Sequence, residues 1–280
     1  MTMKLNKEQL KMAESQLKKY SPRSQQLSPV YGCLLLYNRV RSDPVKFLVD
    51  RWPEFSVIIY KPQQEQKGDV FKDMLVFAID EAILEETIRK PSVIDWTRYL
   101  CFGTCLHHWE TLKSVASEKD VSIRKVAVCR KMTLEDVSKL PSIDSSGIAV
   151  RSLDESHISL VNRAWKFGDN EMSVRMIQNM IMNFPTCCVL DTEGRPVSWI
   201  LTYASCAIGM LYTVPEHRGK GYAKVLISTM AKKLHALDYP VYCFIEEENM
   251  VSYRLFKKLG FTEDPSHREA WFSANELEAL

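Results

Sequence analysis

The sequence predicts a mixed α/β protein (α+β), in which a mostly antiparallel central sheet is flanked by helices. Three observations lead to this fold class. The segments of the second half follow the order strand, two helices, three antiparallel strands, loop and helix, strand, helix and strand. Within that order, residues 210–237 run from a strand through a glycine-rich basic turn into a helix. The first half also alternates helical and extended patterns, without a sequence repeat or a low-complexity segment.

The first half, residues 1–140, is expected to form a mixed α/β domain. Apolar residues at helical spacing predict helices, and runs rich in aromatic and β-branched residues predict strands. Proline and polar clusters predict loops between Ser21 and Pro29 and from Gln63 to Asp69. The predicted helices are Lys7–Tyr20, Glu81–Arg89 and Asp95–Val115, and the predicted strands are Tyr31–Tyr37, Phe55–Tyr60, Val70–Ile79 and Ser122–Arg130.

A linker-like stretch from Lys139 to Gly147 separates this half from a second domain at residues 147–280. Asp154 and Asn170 are expected to be the N-caps of the two helices that follow, because their side chains can accept from the first helical N–H groups. Residues 187–190 and 197–202 are expected to pair as a hairpin.

The turn within residues 210–237 has the composition of a pyrophosphate cradle. Pro215 ends the strand pairing, because it lacks a backbone donor. Gly219 and Gly221 allow unusual backbone angles and leave no Cβ between the amides and a ligand. Arg218 and Lys220 add positive charge where the N–H groups of a helix start have no intrahelical partner.

Two commoner phosphate loops are excluded. A P-loop requires Gly-Lys followed by Ser or Thr, whereas Gly221 is followed by Tyr222 and Ala223. A dinucleotide fingerprint requires a third glycine where Lys224 stands. The pattern that remains, Arg218-x-x-Gly221-x-Ala223, resembles the acyl-CoA loop of the GNAT superfamily of N-acetyltransferases. The alternative is a basic surface turn that only caps an ordinary helix.

A second segment supports this resemblance. The strand at residues 240–245 leads to Asn249, and the following helix ends at Gly260 before Phe261. An Asn after the fifth strand, opening a helix that ends in Gly-Phe, resembles the second motif of the superfamily. The resemblance implies acyl-CoA as the co-substrate, bound by Tyr212, Thr213, Val214, Arg218, Gly219, Lys220, Gly221, Tyr222, Ala223, Asn249, Ser252 and Phe256.

The whole chain resembles the glycine N-acyltransferase and glycine N-acyltransferase-like family, including the half that generic acetyltransferases lack. This family transfers acyl groups from acyl-CoA to the amine of glycine, and some members prefer other acyl chains or glutamine. The resemblance implies acyl-CoA and glycine as partners and no permanently bound cofactor. It is carried by Val30–Gly32, Leu48–Phe55, Lys61–Gln63, Trp165–Glu171, Phe184–Pro185, Pro196–Trp199 and Tyr212–Arg218.

Two positions depart from the family pattern. The resemblance places Ala207 where the family has the glutamate proposed as general base, and Phe256 where many superfamily enzymes have a tyrosine that protonates the thiolate. Glu246 is a candidate substitute base, and the alternative is a solvated acid before a helix. Two hypotheses stay open: an N-acyltransferase acting on glycine or another small amino acid, and an acyl-CoA-binding protein with weakened chemistry.

Charge and hydropathy exclude several function classes. The 37 basic and 35 acidic side chains nearly balance, which argues against nucleic-acid or membrane-surface binding. No apolar run approaches the ~20 residues of a membrane helix. Residues 1–19 lack the apolar core of a secretory signal and resemble a cleavable mitochondrial presequence poorly. A mitochondrial location follows from the family resemblance, with the cytoplasm as the alternative.

The eight cysteines are expected to be free thiols. One cluster, Cys101, Cys105, His107 and His108, has four possible zinc ligands within eight residues. Structural zinc sites usually draw two pairs of ligands from separated loops. Cys101 and Cys105 would also lie one turn apart on the predicted helix, which suits apolar packing. No metal site is therefore expected.

Overall fold

The computed structural model describes residues 2–20, 28–40, 44–63 and 71–275. The chain forms two compact units, one made of residues 1–130 and 265–280 and the other of residues 131–264. The loop predicted between Ser21 and Pro29 and most of the loop from Gln63 to Asp69 lie outside the described residues. Within the described ranges, no helix is both long and apolar enough to cross a membrane.

In the part of the first unit that the structure describes, there are four helices and a sheet. Its helices are Lys7–Tyr20 (α1), Pro29–Arg39 (α2), Glu81–Arg89 (α3) and Trp109–Glu118 (α4). Its strands up to the unit boundary are Met3–Lys4 (β1), Val45–Val49 (β2), Val57–Pro62 (β3), Met74–Ala78 (β4), Leu100–Cys105 (β5) and Ile123–Thr133 (β6), the last of which ends in the second unit.

The second unit again contains four helices and a sheet. Its helices are Ile158–Ala164 (α5), Glu171–Asn183 (α6), Tyr222–Ala236 (α7) and Met250–Lys258 (α8). Its strands are Val150–Arg151 (β7), Thr186–Leu190 (β8), Pro196–Thr202 (β9), Ile208–Thr213 (β10), Tyr242–Glu246 (β11) and Thr262–Glu263 (β12). The last strand of the chain, Glu269–Ala274 (β13), lies in the first unit.

The unit boundaries differ from the domains expected from the sequence, 1–140 and 147–280. Strand pairing explains the difference, because β13 pairs antiparallel with both β5 and β6. The strand order in the first unit is β1-β2-β3-β4-β5-β13-β6, and β4 and β5 are its parallel neighbours. The C-terminal strand thus completes the first sheet.

Each sheet has helices on its two faces. In the first unit, α3 and α4 pack on Val57, Ile59, Met74 and Val76, and α2 contacts the same two strands. Alternate residues such as Ile58 therefore face α2. In the second unit, all seven residues of β9 are buried, and both α6 and α7 contact this strand. The prediction of a mostly antiparallel sheet flanked by helices is confirmed.

The strand predicted from Tyr31 to Tyr37 is wrong, because these residues lie in α2. Ser28 Oγ accepts the N–H of Val30 at 3.2 Å, and Pro29 occupies the first turn. Serine followed by proline is a helix start signal. The apolar run that follows is buried on every side, so no polar face marks a helical period.

The helix predicted over residues 95–115 is also wrong in its first half, where the chain forms β5, and helix α4 begins only at Trp109. Five of the six residues of β5 are buried, because the strand lies between β4 and β13. A strand that is buried on both faces does not alternate apolar and polar residues. Cys101 and Cys105 consequently lie on a strand, and burial beside Asp73 raises the pKa of the Cys101 thiol.

Several local predictions are confirmed. Helices α1 and α3 have the predicted bounds. Asp154 and Asn170 cap the helical turns that follow them, and each takes part in a reciprocal pair of hydrogen bonds. Strands β8 and β9 form the expected hairpin. Sequence-based prediction was therefore accurate where a single capping side chain determines the first residue of a helix.

Candidate active site

The turn between β10 and α7 has the backbone that the sequence predicts. The chain leaves β10 through a 3₁₀ turn at Pro215–His217. Gly219 has φ 77° and Gly221 has φ 79°, a left-handed region in which side chains are strained. Gly221 is the N-cap of α7 and contributes no side-chain cap. A Cβ added at either glycine would meet no atom within 4 Å, so open space lies in front of the turn.

The basic side chains of the turn are held by local contacts. Arg218 Nε donates to the carbonyl of Thr213 at 3.0 Å, and its guanidinium carbon lies 5.7 Å from the centre of the Tyr212 ring. Lys220 Nζ lies 3.5 Å from Nδ1 of His217. Both basic residues are exposed. Positive charge, a helix N-terminus and free space therefore coincide, as anion binding requires.

The other residues predicted to bind acyl-CoA at this turn make contacts within the turn or with strand β9. Tyr222 stacks on His217 with ring centres 6.4 Å apart, and Ala223 lies in the first turn of α7. Thr213 Oγ1 lies 2.7 Å from the hydroxyl of Ser198 on β9. The N–H of Val214 donates to the carbonyl of Val197 at 2.9 Å.

Strand β10 has an irregularity that sequence reasoning missed. Its pairing with β9 shifts register between Gly209 and Tyr212, and Met210 has φ 49°. A bulge leaves residues out of the ladder, so their N–H groups can face a ligand. On its other side β10 pairs in parallel with β11 at one position, Ile208 with Cys243. Along the chain, β10 leads through the turn into α7, and β11 leads into α8.

The second predicted motif lies at the start of α8. Asn249 Oδ1 accepts the N–H of Ser252 at 3.1 Å and so caps this helix. Phe256 is 4% exposed and packs edge-on against Phe261 at 5.0 Å. Its ring therefore belongs to the core of the second unit. Contact of these three predicted residues with acyl-CoA stays a prediction.

The candidate bases differ in their surroundings. Ala207 is 1% exposed directly before β10, and its carbonyl accepts the N–H of Tyr203 at 2.9 Å. Glu246 ends β11, and one of its carboxylate oxygens accepts a hydrogen bond from Lys166. Sequence reasoning missed Lys166, although it lies within the stretch from Trp165 to Glu171 that carried the resemblance. This ion pair engages Glu246 and fits the role of a solvated acid better than that of a free base.

Comparison with protein families gives matches over almost the whole chain. The model for aralkyl acyl-CoA:amino acid N-acyltransferases matches residues 1–185, and the model for their C-terminal region matches residues 187–274. A glycine N-acyltransferase of Bos taurus is 30% identical over 94% of this chain and 95% of its own length. A glycine N-acyltransferase-like protein of Mus musculus is 30% identical over 95% and 96% of the two chains.

Solved structures support the fold at lower sequence identity. A Drosophila protein of 16% identity superposes with a TM-score of 0.79 over 98% of both chains. A tandem GNAT protein from the clavulanic acid biosynthesis pathway has a TM-score of 0.60 at 11% identity, covering 99% of both chains. A GCN5-related N-acetyltransferase from Kribbella flavida has a TM-score of 0.57 at 13% identity, covering 89% of this chain and 96% of its own. These likenesses identify the acetyltransferase fold.

Proposed function

Since the chain belongs to the aralkyl acyl-CoA:amino acid N-acyltransferase family, we propose that it transfers an acyl group from acyl-CoA to the amino group of glycine. The products are an N-acylglycine and free CoA. The observation that carries the proposal is the turn from Arg218 to Ala223, which combines two left-handed glycines, two cations and an uncapped helix start. This arrangement suits the pyrophosphate of CoA.

The reaction forms a bond from the amine nitrogen to the thioester carbon and breaks the bond from that carbon to sulfur. The ammonium must lose a proton before attack, and the thiolate must gain one after departure. The bulge at Met210 and Leu211 lies on the strand that leads into the proposed pyrophosphate turn, and its backbone N–H groups are candidates to bind the developing oxyanion. Such a contact stabilises the transition state without any side chain.

The removal of a proton from the ammonium group of the acceptor has no obvious catalytic base among the described residues of this site. Ala207 offers no base, and Lys166 holds one oxygen of Glu246. General-base catalysis typically contributes roughly 10²–10⁴-fold, so its loss leaves an enzyme that depends on positioning and oxyanion binding. A second candidate function follows: an acyl-CoA-binding protein with slow turnover. Ala207 and the buried Phe256 favour it, because neither can transfer a proton.

Glycine is the proposed acceptor because similar proteins carry this activity in their names, among them the glycine N-phenylacetyltransferase of Bos taurus at 28% identity. Another small amino acid is the alternative acceptor within the same reaction. For location, we propose the mitochondrion on the family resemblance, with the cytoplasm as the alternative. Fractionation of cells that express the full chain separates these two locations.

The test of function is acyl transfer by the full-length protein. Benzoyl-CoA, phenylacetyl-CoA and acetyl-CoA are each incubated with glycine, glutamine or alanine, and free thiol and acylated product are measured. We expect thiol release that requires an amino acid and is greatest with glycine. Thiol release with no acceptor would indicate hydrolysis. If no combination of acyl-CoA and amino acid gives product, while CoA binds in an Arg218-dependent manner, the protein functions by binding acyl-CoA and not as an efficient acyltransferase.

A further inference from the structure

The two units share one order of elements, which the sequence did not reveal. In both, the order is strand, two helices, three strands, helix, strand, helix, strand, and the first unit contains β13 in addition. In both, the fourth and fifth strands of the unit are parallel: β4 with β5, and β10 with β11. The starts of α3 and α4 in the first unit thus correspond to the starts of α7 and α8, and α7 begins at the turn from Arg218 to Ala223, here named the acyl-CoA turn after its proposed ligand.

At the corresponding helix start in the first unit, the side chains are acidic, whereas those before α7 are basic. Asp80 caps α3, since its Oδ1 accepts the N–H of Ile83 at 3.0 Å. Glu81 follows as the first residue of the helix. His107 and His108 lie in the 3₁₀ turn before α4. Carboxylates disfavour a phosphate here, whereas a carboxylate with two imidazoles is a donor set for a divalent metal ion.

The three side chains converge on a small volume. Glu81 Oε1 is hydrogen-bonded to Nδ1 of His108 and lies 3.4 Å from Nε2 of His107. One donor atom of each residue lies within 4.8 Å of the others. With metal–ligand bonds of about 2.0–2.1 Å, two ligands of a tetrahedral zinc ion lie about 3.3–3.4 Å apart. The spacing from Glu81 to His107 already matches this value, whereas the hydrogen-bonded atoms of Glu81 and His108 must move apart to admit an ion.

Neighbouring groups orient these donors. Thr111 Oγ1 donates to Glu81 Oε2 at 2.5 Å, which turns the other carboxylate oxygen toward the imidazoles. Cys105 Sγ lies 2.8 Å from Nδ1 of His107, on the opposite side of the ring from Nε2. Outer partners of this kind fix the ring and the tautomer of a metal-binding histidine. Thr111 and Cys105 therefore contact the proposed ligands from outside and are not themselves proposed to bind the ion.

The cluster is also accessible from one side. The side chain of His108 is 3% exposed, whereas those of Glu81 and His107 are 46% and 62% exposed. One buried ligand gives the cluster a fixed point, and the two exposed ligands allow an ion to enter. Water can complete the coordination on the exposed side.

We propose that Glu81, His107 and His108 form a binding site for a divalent first-row transition metal ion, with Zn²⁺ as the probe, that joins the start of α3 to the 3₁₀ turn before α4. This site goes beyond the acyltransferase activity and does not depend on it. The ion binds through two neutral imidazole nitrogens and one carboxylate oxygen, and it stabilises the first unit because it binds only the folded chain.

The test is a zinc titration of full-length protein after chelator treatment, by competition with a chromophoric chelator. We expect one Zn²⁺ per chain and a rise in Tm with Zn²⁺. His107→Ala and Glu81→Gln should each weaken binding more than 100-fold, because each removes a ligand. Thr111→Val removes only an outer partner and should weaken binding 10–100-fold. The matched control is His235→Ala, which changes an exposed histidine on α7 and should bind like the parent.

Cobalt(II) gives an independent readout of the donor set. We expect visible absorbance without an intense thiolate charge-transfer band, since Cys105 contacts the far nitrogen of His107. Circular dichroism first shows that each variant is folded. The proposal is overturned if the parent binds no stoichiometric Zn²⁺, if His107→Ala and Glu81→Gln bind as the parent does, or if a thiolate band dominates. Unchanged CoA affinity in these variants keeps this result separate from the acyltransferase proposal.

Discussion

Replacing Arg218 with alanine should weaken CoA binding about 10–100-fold. Among the described residues the guanidinium donates one hydrogen bond, from Nε to the carbonyl of Thr213 at 3.0 Å, so the two Nη groups can donate to a phosphate. A charge-assisted hydrogen bond contributes roughly 1.5–3 kcal/mol, which corresponds to that loss of affinity. The loss should be smaller at high salt, because ions screen an exposed pair.

The same substitution should leave the fold intact. Arg218 is exposed, and its contacts are the Thr213 carbonyl and the ring of Tyr212, each worth about 1 kcal/mol or less at a solvated position. The expected change is a Tm loss of a few degrees. A protein that unfolds instead would show that Arg218 is structural, contrary to this argument.

The assay is calorimetric titration with CoA at low and high salt. Arg175→Ala is the matched control, since Arg175 is an exposed arginine of the same unit, paired on α6 with Glu171 at 2.7 Å. Arg218→Lys keeps the charge but loses the planar fork, so its affinity should lie between the parent and Arg218→Ala. Equal CoA affinity in Arg218→Ala and Arg175→Ala would refute the role assigned to Arg218.

Three further substitutions test the turn from Arg218 to Ala223, the missing base and the half-buried carboxylate of Asp73. Gly221→Val should abolish measurable CoA binding, whereas Gly194→Val, at φ 80° in an equally open hairpin turn, should cost similar stability and leave CoA affinity unchanged. Ala207→Glu should accelerate glycine acylation near neutral pH by at most roughly 10²–10⁴-fold, and Ala207→Gln should not; equal rates in two folded variants would argue against a base at this position. Burial raises the pKa of Asp73 from its usual 3.8 to about 6, which destabilises the fold as pH rises from about 4 to 6 by up to roughly 3 kcal/mol. Asp73→Asn should therefore raise Tm at pH 7.5 but not at pH 4, and a pH-independent difference in Tm would contradict this assignment.

The sequence predicted the second unit better than the first, for a physical reason. Three helices of the second unit begin at residues whose effect on the backbone is local. Asn170 caps α6, Asn249 caps α8, and Gly221 is the N-cap residue of α7. Such signals depend on the few residues next to them. In the first unit, α2 and β5 are buried almost entirely, so apolar runs carry no period and only tertiary packing decides between helix and strand.

Features that join distant residues could not be predicted from the sequence. The pair of Lys166 with Glu246 spans 80 residues, and the contact of His108 with Glu81 spans 27. The signal for the second contact was partly visible, since two adjacent histidines followed a cysteine. The helix predicted over residues 95–115 put Cys101 one turn before Cys105, and sequence spacing alone does not show that Glu81 of α3 lies beside His108. The missing information was the pairing of β4 with β5, which brings α3 and α4 together.

One CoA should bind per chain, although the same order of elements occurs twice. In the second unit, α7 starts at Gly221 without a capping side chain, so its first N–H groups face open space. In the first unit, the corresponding helix α3 starts at Asp80, whose carboxylate already accepts the N–H of Ile83, and Glu81 adds a second negative charge. The two carboxylates already provide the negative charge that stabilises the N-terminal end of this helix. A phosphate would have to displace the carboxylate of Asp80 and approach that of Glu81. Titration with CoA should give a stoichiometry of one that disappears in Gly221→Val. Two equivalents per chain, or parental affinity remaining in that variant, would show that the first unit binds CoA despite its acidic helix start.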